Sequence, residues 1–276
     1  MITIAKIFIY PIKACGGVAL PFCDIVPGGL AGDRRYMLVD RNGRMVTRRE
    51  RSELARVQLL IDENRFIARA PDMPFLALPT QMEDARAEFG ETIASHVWSD
   101  TVLAPEHQRG SGWFSALLGE EIRLVYMPEG ALRQVNPARS DPGDQVNFAD
   151  GYPLLITSES SLDDLNARLS EPVPMERFRP NIVVTGAPAF EEDVWAEISL
   201  GEISCVLPKL CDRCTVTTVE EGSGHKGKEP LRTLATFRRW DKAVWFGTNA
   251  IPKSAGTVAL GQEIYVRKRR LHPGGA

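Results

Sequence analysis

Short apolar segments separated by turn residues run through this chain, and they restrict it to a fold built mainly from β-strands. Residues 2–10 alternate imperfectly with a period of two, and residues 18–26 repeat the pattern before a Pro-Gly-Gly turn. The strand predicted at residues 33–40 leads into Asn42-Gly43, which is the strongest short signal for a β-hairpin. Strands at this spacing, with turns between them, are typical of a barrel or a sandwich.

Further strands and a few helices complete the predicted fold. Strands are expected at residues 45–47, 56–62, 65–70, 92–103, 121–127, 154–156, 181–185 and 196–207. Helical spacing of apolar residues predicts short helices at residues 111–118, after Ser158 or Ser160, and at residues 231–237. We therefore predict a mainly β fold with a few helices (α+β), in which two barrel-like halves pack together.

The chain changes character around residues 104–110, which indicates a division into two halves. We expect an N-terminal domain at residues 1–120, a second domain at residues 121–270 and a tail at residues 271–276, with a loosely held end beginning at Arg267. A long polar segment at residues 128–150 lies early in the second domain, and loops of that length are usually functional or disordered.

Composition excludes several classes of protein. The 276 residues carry a formal net charge of −3, so nothing in the overall charge points to a nucleic-acid scaffold. The five cysteines are odd in number and sparse, which argues against a disulfide framework and favours a reducing compartment. No apolar run approaches the roughly 20 residues of a membrane span, and residues 1–10 have no basic leader. We expect a cytoplasmic protein.

The Cys-Asp-Arg-Cys segment from Cys211 to Cys214 is the strongest candidate for a chemical role. Residues 215–219 follow at once, and their β-branched side chains favour a strand. We therefore predict that Cys214 lies where a loop enters a strand, with its sulfur facing a cavity. A thiolate in that position is a suitable ligand for a soft metal centre.

Three other roles for the cysteine pair stay open on these residues alone. A structural zinc site needs four ligands, but no second pair exists and the four histidines are scattered. A redox dithiol of the thioredoxin type prefers a following helix and a βαβ context. Two buried, inert thiols are the commonest role of any two cysteines. Lys13, Arg34 and Arg179, each taken singly, are likewise expected to be solvated surface charges.

The order of motifs around the cysteine pair resembles that of one family. A Phe-Arg-Pro-Asn run at residues 178–181 precedes the pair, and a Glu-Pro-Leu-Arg run at residues 229–232 follows it. The chain is similar to MOSC-domain proteins, and it more closely resembles the mitochondrial amidoxime-reducing component and its bacterial relatives. The resemblance covers nearly the whole chain. It implies a MOSC N-terminal β-barrel domain in the first half and a MOSC domain, which binds the molybdenum cofactor, in the second.

The resemblance also implies a site for the molybdenum cofactor (Mo-molybdopterin). Cys214 matches the cysteine that ligates molybdenum in this family and would be the catalytic residue. The matching cofactor-binding positions are Lys13, Ala14, Arg34, Asp150, Gly151, Arg179, Asn181, Asp212, Arg213 and Asn249. The chemistry is suitable, because the planar fork of arginine meets a phosphate bidentately and asparagine offers both a donor and an acceptor to a pterin edge.

Three positions depart from the family pattern. Ala14 stands where relatives often have serine, so a hydroxyl contact is lost. Asp212 places a negative charge beside the expected metal ligand, where relatives have serine or another residue. Asn249 falls where the mitochondrial relatives have a tyrosine near the metal, so the mouth of the pocket is expected to be more polar.

What the resemblance implies about function is a molybdenum-dependent reductase of N-hydroxylated compounds of the hydroxylamine or amidoxime type. The metal would accept the oxygen atom of a small-molecule substrate. No cysteine follows Cys214, so electrons are expected from a separate ferredoxin- or flavin-type reductase. Two alternatives remain: a sulfur carrier that holds a persulfide on Cys214, and a binding module that holds the cofactor without catalysis.

Overall fold

A computed structural model describes residues 1–131, 133–272 and 274. In chain order the strands are β1 (Ile2–Ile9), β2 (Val18–Leu20), β3 (Phe22–Val26), β4 (Gly29–Leu30), β5 (Tyr36–Val39), β6 (Gln58–Asp62), β7 (Arg65–Arg69), β8 (Leu76–Pro79), β9 (Phe89–Val97), β10 (Asp100–His107), β11 (Arg123–Tyr126), β12 (Leu154–Ser158), β13 (Ile182–Thr185), β14 (Trp195–Leu200), β15 (Ile203–Asp212), β16 (Arg239–Trp240), β17 (Ala243–Pro252), β18 (Gly256–Ala259) and β19 (Glu263–Arg269).

The helices are short and lie between strands. The α-helices are α1 (Gln108–Leu118), α2 (Glu159–Asn166) and α3 (Leu231–Phe237). Segments of 3₁₀ helix lie at Ser52–Arg56, Met82–Glu88, Pro137–Arg139, Met175–Phe178, Glu191–Val194 and Thr215–Thr218. Within the described ranges, none of these helices combines the length and the apolar character that crossing a bilayer requires.

Seven strands close into a barrel at the centre of the second half. They pair in the order β12-β13-β1-β19-β14-β15-β17, and β17 returns to pair with β12. The β12–β13 pair is parallel and the other six pairs are antiparallel. Because the ring is closed, its strands leave no free edge. The predicted mainly β fold with a few helices is confirmed.

The two halves of the chain exchange strands. The first strand, β1, lies between β13 and β19 in the barrel, with Ile4, Ile7 and Ile9 buried. In return, β18 from the second half pairs with β3 in a small sheet with β4. Of the other strands of the first half, β2 pairs with β1, β6-β7-β8 form one sheet, and β5, β9 and β10 form another with β11, which lies just beyond residue 120. Strands therefore cross the predicted boundary at residue 120 in both directions.

Several predicted strands are interrupted by turns. Residues 92–103 form a hairpin with its turn between β9 and β10. Residues 196–207 form another, with its turn between β14 and β15. The first turn was missed because Trp98 occupies it with φ of +55°, where glycine or asparagine is the usual signal. Pro21, which has no N–H to donate, separates β2 from β3. Arg34 has φ of +45°, so the predicted strand at 33–40 begins only at Tyr36.

The strand predicted after Cys214 is wrong, because Thr215–Thr218 is a turn of 3₁₀ helix. The hydroxyl of Thr217 donates to the carbonyl of Cys214 at 2.9 Å, and that of Thr218 donates to the carbonyl of Thr215 at 2.8 Å. Threonine side chains that bond to nearby backbone in this way compete with a strand ladder. Cys214 therefore precedes a tight turn that begins where β15 has ended.

The C-terminal segment is held more firmly than predicted. Arg267–Arg269 belong to β19, and the Arg270 guanidinium donates to the carbonyl of Leu207 at 2.7 Å and to that of Asp193 at 3.0 Å. His272 lies 3.3 Å from the Asp193 carboxylate. The prediction of a loose end is thus wrong for residues 267–272, and residues 273, 275 and 276 lie outside the described residues.

A buried acid lies under the barrel strands at the 3₁₀ segment Glu191–Val194. Glu192 is fully buried, and its carboxyl oxygens accept hydrogen bonds from the Ser161 hydroxyl of α2 at 2.8 and 3.0 Å. Burial, and then the negative charge of neighbouring Asp193, raise the pKa of Glu192 to about 7. The folded protein therefore keeps a proton there that the unfolded chain releases near pH 4.5.

Glutamine at position 192 should remove a pH dependence of stability. Between pH 4.5 and about pH 7 the folded state binds one more proton than the unfolded state, so the wild type loses stability as the pH rises through this window. We expect the free energy of unfolding of Glu192→Gln, relative to that of the wild type, to be about 1–3 kcal/mol higher at neutral pH than at low pH. Urea unfolding at both pH values measures this gain. Glu202→Gln, at an exposed position, is the control, and an equal effect of Glu192→Gln at both pH values would contradict the assignment.

Candidate functional site

A cavity of about 510 Å³ is lined by residues from both halves of the chain. It brings together every residue that the sequence analysis assigned to the site: Lys13, Ala14, Arg34, Asp150, Gly151, Arg179, Asn181, Asp212, Arg213, Cys214 and Asn249. Its lining also includes residues that the sequence analysis did not assign: Thr47, Arg48, Arg49, Trp98, Ala149, Tyr152, Leu155, Phe178, Lys209, Cys211 and Val216.

Backbone strain is concentrated around this cavity. Nine non-glycine residues in the described ranges have a positive φ, and four of them line the cavity: Ala14, Arg34, Trp98 and Arg179. A left-handed backbone is unfavourable for any residue with a Cβ. Such residues persist where the surrounding structure holds them, and they cluster at functional sites.

The ring of Tyr10 carries two guanidinium groups at one end of the cavity. The guanidinium carbon of Arg34 lies 4.4 Å from the ring centroid, and that of Arg179 lies 4.2 Å from it. The phenol ring is buried, and its electron-rich faces attract cations. Tyr10 is therefore the platform that holds both arginines, and the sequence analysis did not single it out.

Arg34 is fixed by protein partners. Its Nη1 donates to both carboxylate oxygens of Asp33 at 2.7 and 2.8 Å and to Oδ1 of Asn181 at 3.1 Å. Asn181 Oδ1 also accepts from the backbone N–H of Leu155, and its Nδ2 donates to the carbonyl of Phe8. The amide oxygen of Asn181 is thus held by two protein donors, so it is not the free acceptor for a ligand that the sequence analysis expected.

Arg179 is a cation that finds no carboxylate partner among the described residues. Its Nη1 donates to the carbonyl of Cys15 at 2.6 Å, but no carboxylate oxygen of the described residues lies within 4.0 Å of its guanidinium. Burial, followed by repulsion from Arg48 and Arg34, lowers the pKa of Arg179 to about 9. Because the group is still charged at neutral pH, its surroundings favour the binding of an anion.

Arg213 is a second guanidinium of this kind. It donates through Nη1 to the Cys211 sulfur at 2.9 Å and through Nη2 to the carbonyl of Phe178 at 2.7 Å. Its buried Nε makes no hydrogen bond to the described residues. Burial raises the pKa of the Cys211 thiol, although the charge of Arg213 opposes that shift.

Asp150 connects the cavity floor to Cys214. Its carboxylate pairs with Lys13, and its Oδ2 accepts from Nη2 of Arg49 at 2.9 Å. The same Nη2 lies 3.4 Å from the Cys214 sulfur. Although burial opposes the shift, Lys13 and Arg49 hold the pKa of Asp150 well below its usual range. Lys13 is therefore committed to Asp150 and to the carbonyl of Phe148, 2.7 Å away.

The positions that depart from the family pattern lie at different places in the cavity wall. Asp212 pairs with Nζ of Lys209 at 2.8 Å, so its charge is balanced beside Cys214. Asn249 lies on β17 and donates to the carbonyl of Leu210 at 3.2 Å. The carbonyl of Ala14 accepts a hydrogen bond from Nε of Arg48. Around Gly151 the space is open, since a Cβ added there would meet nothing within 4 Å.

Arg48 and Arg49 were missed because a short basic run after a hairpin has the pattern of a solvated surface. In the structure Arg48 is 1% exposed and donates from Nη2 to Oε2 of Glu221 at 2.9 Å, which ties the first half to the second. Arg49 reaches Cys214, as described above. In the part of the chain that the structure describes, no group of three or more His, Cys, Asp or Glu side chains is placed to hold a metal ion.

Comparison with known proteins agrees with this architecture. The family model for the MOSC N-terminal beta barrel domain matches residues 1–121, and that for the MOSC domain matches residues 143–265. The barrel, the shared cavity and these matches define a MOSC-domain protein. Within that class, the chain belongs to the family of the mitochondrial amidoxime-reducing components, as the sequence motifs indicated.

The relatives cover most of the chain. Mitochondrial amidoxime reducing component 2 of Bos taurus is 34% identical over 287 residues, which span 95% of this chain and 82% of that protein. Component 1 of Homo sapiens is 32% identical, spanning 96% and 82%. Molybdenum cofactor sulfurase of Oryza sativa is 30% identical over 89% of this chain, but the matched part is 32% of that longer protein.

Inorganic phosphate should stabilise this protein through Arg179. A phosphate that neutralises the guanidinium binds the folded state only, so at ten times its Kd it should add about 1.4 kcal/mol to the free energy of unfolding. Thermal unfolding of ligand-free protein, with and without phosphate at constant ionic strength, measures the effect. Arg179→Gln should lose most of this stabilisation, whereas Arg69→Gln, outside the cavity, should keep it. An undiminished phosphate effect in Arg179→Gln would show that the anion binds elsewhere.

Proposed function

We propose that this protein is a molybdenum-cofactor-dependent reductase of N-hydroxylated compounds, with Cys214 as the metal ligand. The observation that carries the proposal is one cavity that holds a thiol at its wall and two guanidinium groups for which the described residues provide no carboxylate partner. A group that combines a soft metal with a phosphate would satisfy both features. The names of the relatives, which refer to amidoxime reduction and to the molybdenum cofactor, support the same function.

The residues present fit Mo-molybdopterin. Arg179 supplies one cationic group for its phosphate, and Arg213 supplies a second, whose buried Nε has no hydrogen-bond partner in the described part of the chain. The open space at Gly151 lets the ligand approach the backbone. Arg34, Lys13 and Asn181 are already held by neighbouring groups, so they provide a rigid wall. When bound, the cofactor would supply a metal able to accept an oxygen atom, and Cys214 would be its protein ligand.

The chain positions the thiolate and the substrate. Arg49, anchored by Asp150, directs an N–H toward the Cys214 sulfur and so restricts its orientation. Conversion of an N–OH group to N–H and water consumes two electrons and two protons. The Lys209–Asp212 ion pair lies in the cavity lining, beside Cys214. It keeps the cavity wall near the sulfur polar.

The electrons come, in this proposal, from a separate protein of the ferredoxin or flavin type. Of the five cysteines, Cys15, Cys23 and Cys205 are buried, while Cys211 and Cys214 line the cavity. This distribution leaves no set of four thiolates for an iron–sulfur cluster within the chain. The five free thiols also fit a reducing compartment, so we place the protein in the cytoplasm.

Metal content and activity test the proposal together. Protein made in cells that synthesise the cofactor should contain near-stoichiometric molybdenum and should reduce an amidoxime with an artificial electron donor. Cys214→Ser should lose the activity and much of the metal, because a hydroxyl is a poor ligand for a soft metal. Elemental analysis and product formation are the two measurements.

Cys211→Ala is the matched variant, and its effect should be much smaller. An absence of molybdenum in the wild type, under conditions that load a known molybdenum enzyme, would overturn the proposal. A mass increase of one sulfur atom on Cys214 would then support the persulfide carrier. Molybdenum that binds through Cys214 without reducing any substrate would support the binding module.

A further inference from the structure

Trp98 is an exposed indole in the wall of the candidate site. It lies in the turn between β9 and β10, it is 57% exposed, and it lines the same cavity as Cys214. The other four tryptophans of the chain are buried or half-buried. A large apolar side chain left exposed at a ligand cavity marks a contact surface.

The backbone at Trp98 gives no local reason for this residue. Its φ of +55° is left-handed, and such two-residue hairpin turns favour glycine, asparagine or aspartate. A bulky aromatic residue in this conformation is unfavourable, so the turn does not gain stability from tryptophan. The turn therefore does not account for the tryptophan, and its contacts are the better explanation of its presence.

The indole is held at a set place relative to Cys214. The guanidinium carbon of Arg49 lies 5.0 Å from the centroid of the Trp98 ring. Nη2 of the same guanidinium donates to Asp150 and reaches the Cys214 sulfur. One face of the indole thus packs on the Arg49 guanidinium, which also contacts the Cys214 sulfur. The exposed part of the indole is free to contact a ligand.

We propose that Trp98 selects substrates by stacking on a flat, delocalised group attached to the N–OH function. Offset stacking requires a planar partner, so an aromatic substituent gains more from it than a puckered ring of similar size. The first half of the chain would then set substrate preference, while the second half supplies the metal ligand. This inference rests on the reductase function proposed above.

A pair of amidoximes tests the selection directly. Benzamidoxime and cyclohexanecarboxamidoxime carry the same reacting group on a six-carbon ring, and only the first ring is flat. The cofactor-loaded wild type should prefer benzamidoxime in kcat/KM, and Trp98→Asn should lower this preference about threefold to tenfold. The loss should appear in KM, and in the Kd measured by calorimetry without reductant, more than in kcat. Trp98→Phe should keep most of the preference.

Two controls separate selection from a structural role. Phe75 is another exposed aromatic, 63% exposed, with the Arg69 guanidinium 4.8 Å from its ring, but it lies outside the cavity lining. Phe75→Ala should leave the preference unchanged. Asparagine suits a left-handed turn, so Trp98→Asn should not lower Tm. A lower Tm with equal losses for both amidoximes would overturn the proposal in favour of a structural role.

The remaining outcomes also distinguish the two proposals. A higher KM for the protein electron donor, with the amidoxime preference unchanged, would make Trp98 a donor-docking contact and overturn substrate selection. If the wild type reduces both amidoximes without preference, selection fails and the reductase function stands. The wild type could also reduce neither amidoxime and yet bind benzamidoxime more tightly than cyclohexanecarboxamidoxime. If Trp98→Asn abolishes that difference in Kd, selection stands and the reductase function fails.

Discussion

Concentrated positive charge around the Tyr10 ring is the constraint on which the rest of this site depends. Two guanidiniums rest on one buried aromatic ring, and Arg48 lies close enough to depress the pKa of Arg179. Asp33 compensates Arg34 and Glu221 compensates Arg48, but Arg179 and Arg213 have no carboxylate partner among the described residues. A charge without a partner of opposite sign in a cavity is unfavourable unless a ligand neutralises it. The cavity therefore presents two cationic groups that an anion could neutralise.

The site also depends on the exchange of strands between the halves. Because β1 is a strand of the closed barrel, the turn that follows it carries Lys13 and Ala14 directly to the cavity. Arg48 and Arg49 come from the first half, whereas Glu221, Asp150 and Cys214 come from the second. Neither half contains the complete set of contacts. The cavity is thus a property of their association, as ligand sites at domain interfaces commonly are.

Family motifs and local patterns differed in how well they predicted the structure. The motifs named eleven residues that the fold brings into one cavity. Local patterns predicted most strands but missed the hairpin at Trp98, because a tryptophan in a left-handed turn contradicts the usual turn chemistry. They also predicted a strand after Cys214, where threonine hydroxyls instead bond to the local backbone. Arg48 and Arg49 were missed because burial of a charge depends on partners far away in the chain, such as Glu221.

The residue pattern was sufficient to establish a mainly β chain, its resemblance to the MOSC family and Cys214 as the thiol of interest, since these rest on local spacing and on contiguous motifs. Charge balance was decided by the tertiary structure. Only the folded chain shows that Asn181 and Lys13 are held by protein partners and that Arg49 stands between Trp98 and Cys214. It also shows that Arg179 has a carbonyl partner but no carboxylate partner among the described residues. The physical reason is that the strength of an ion pair or a hydrogen bond depends on distance and burial, and these are set by contacts between segments that are far apart in the chain.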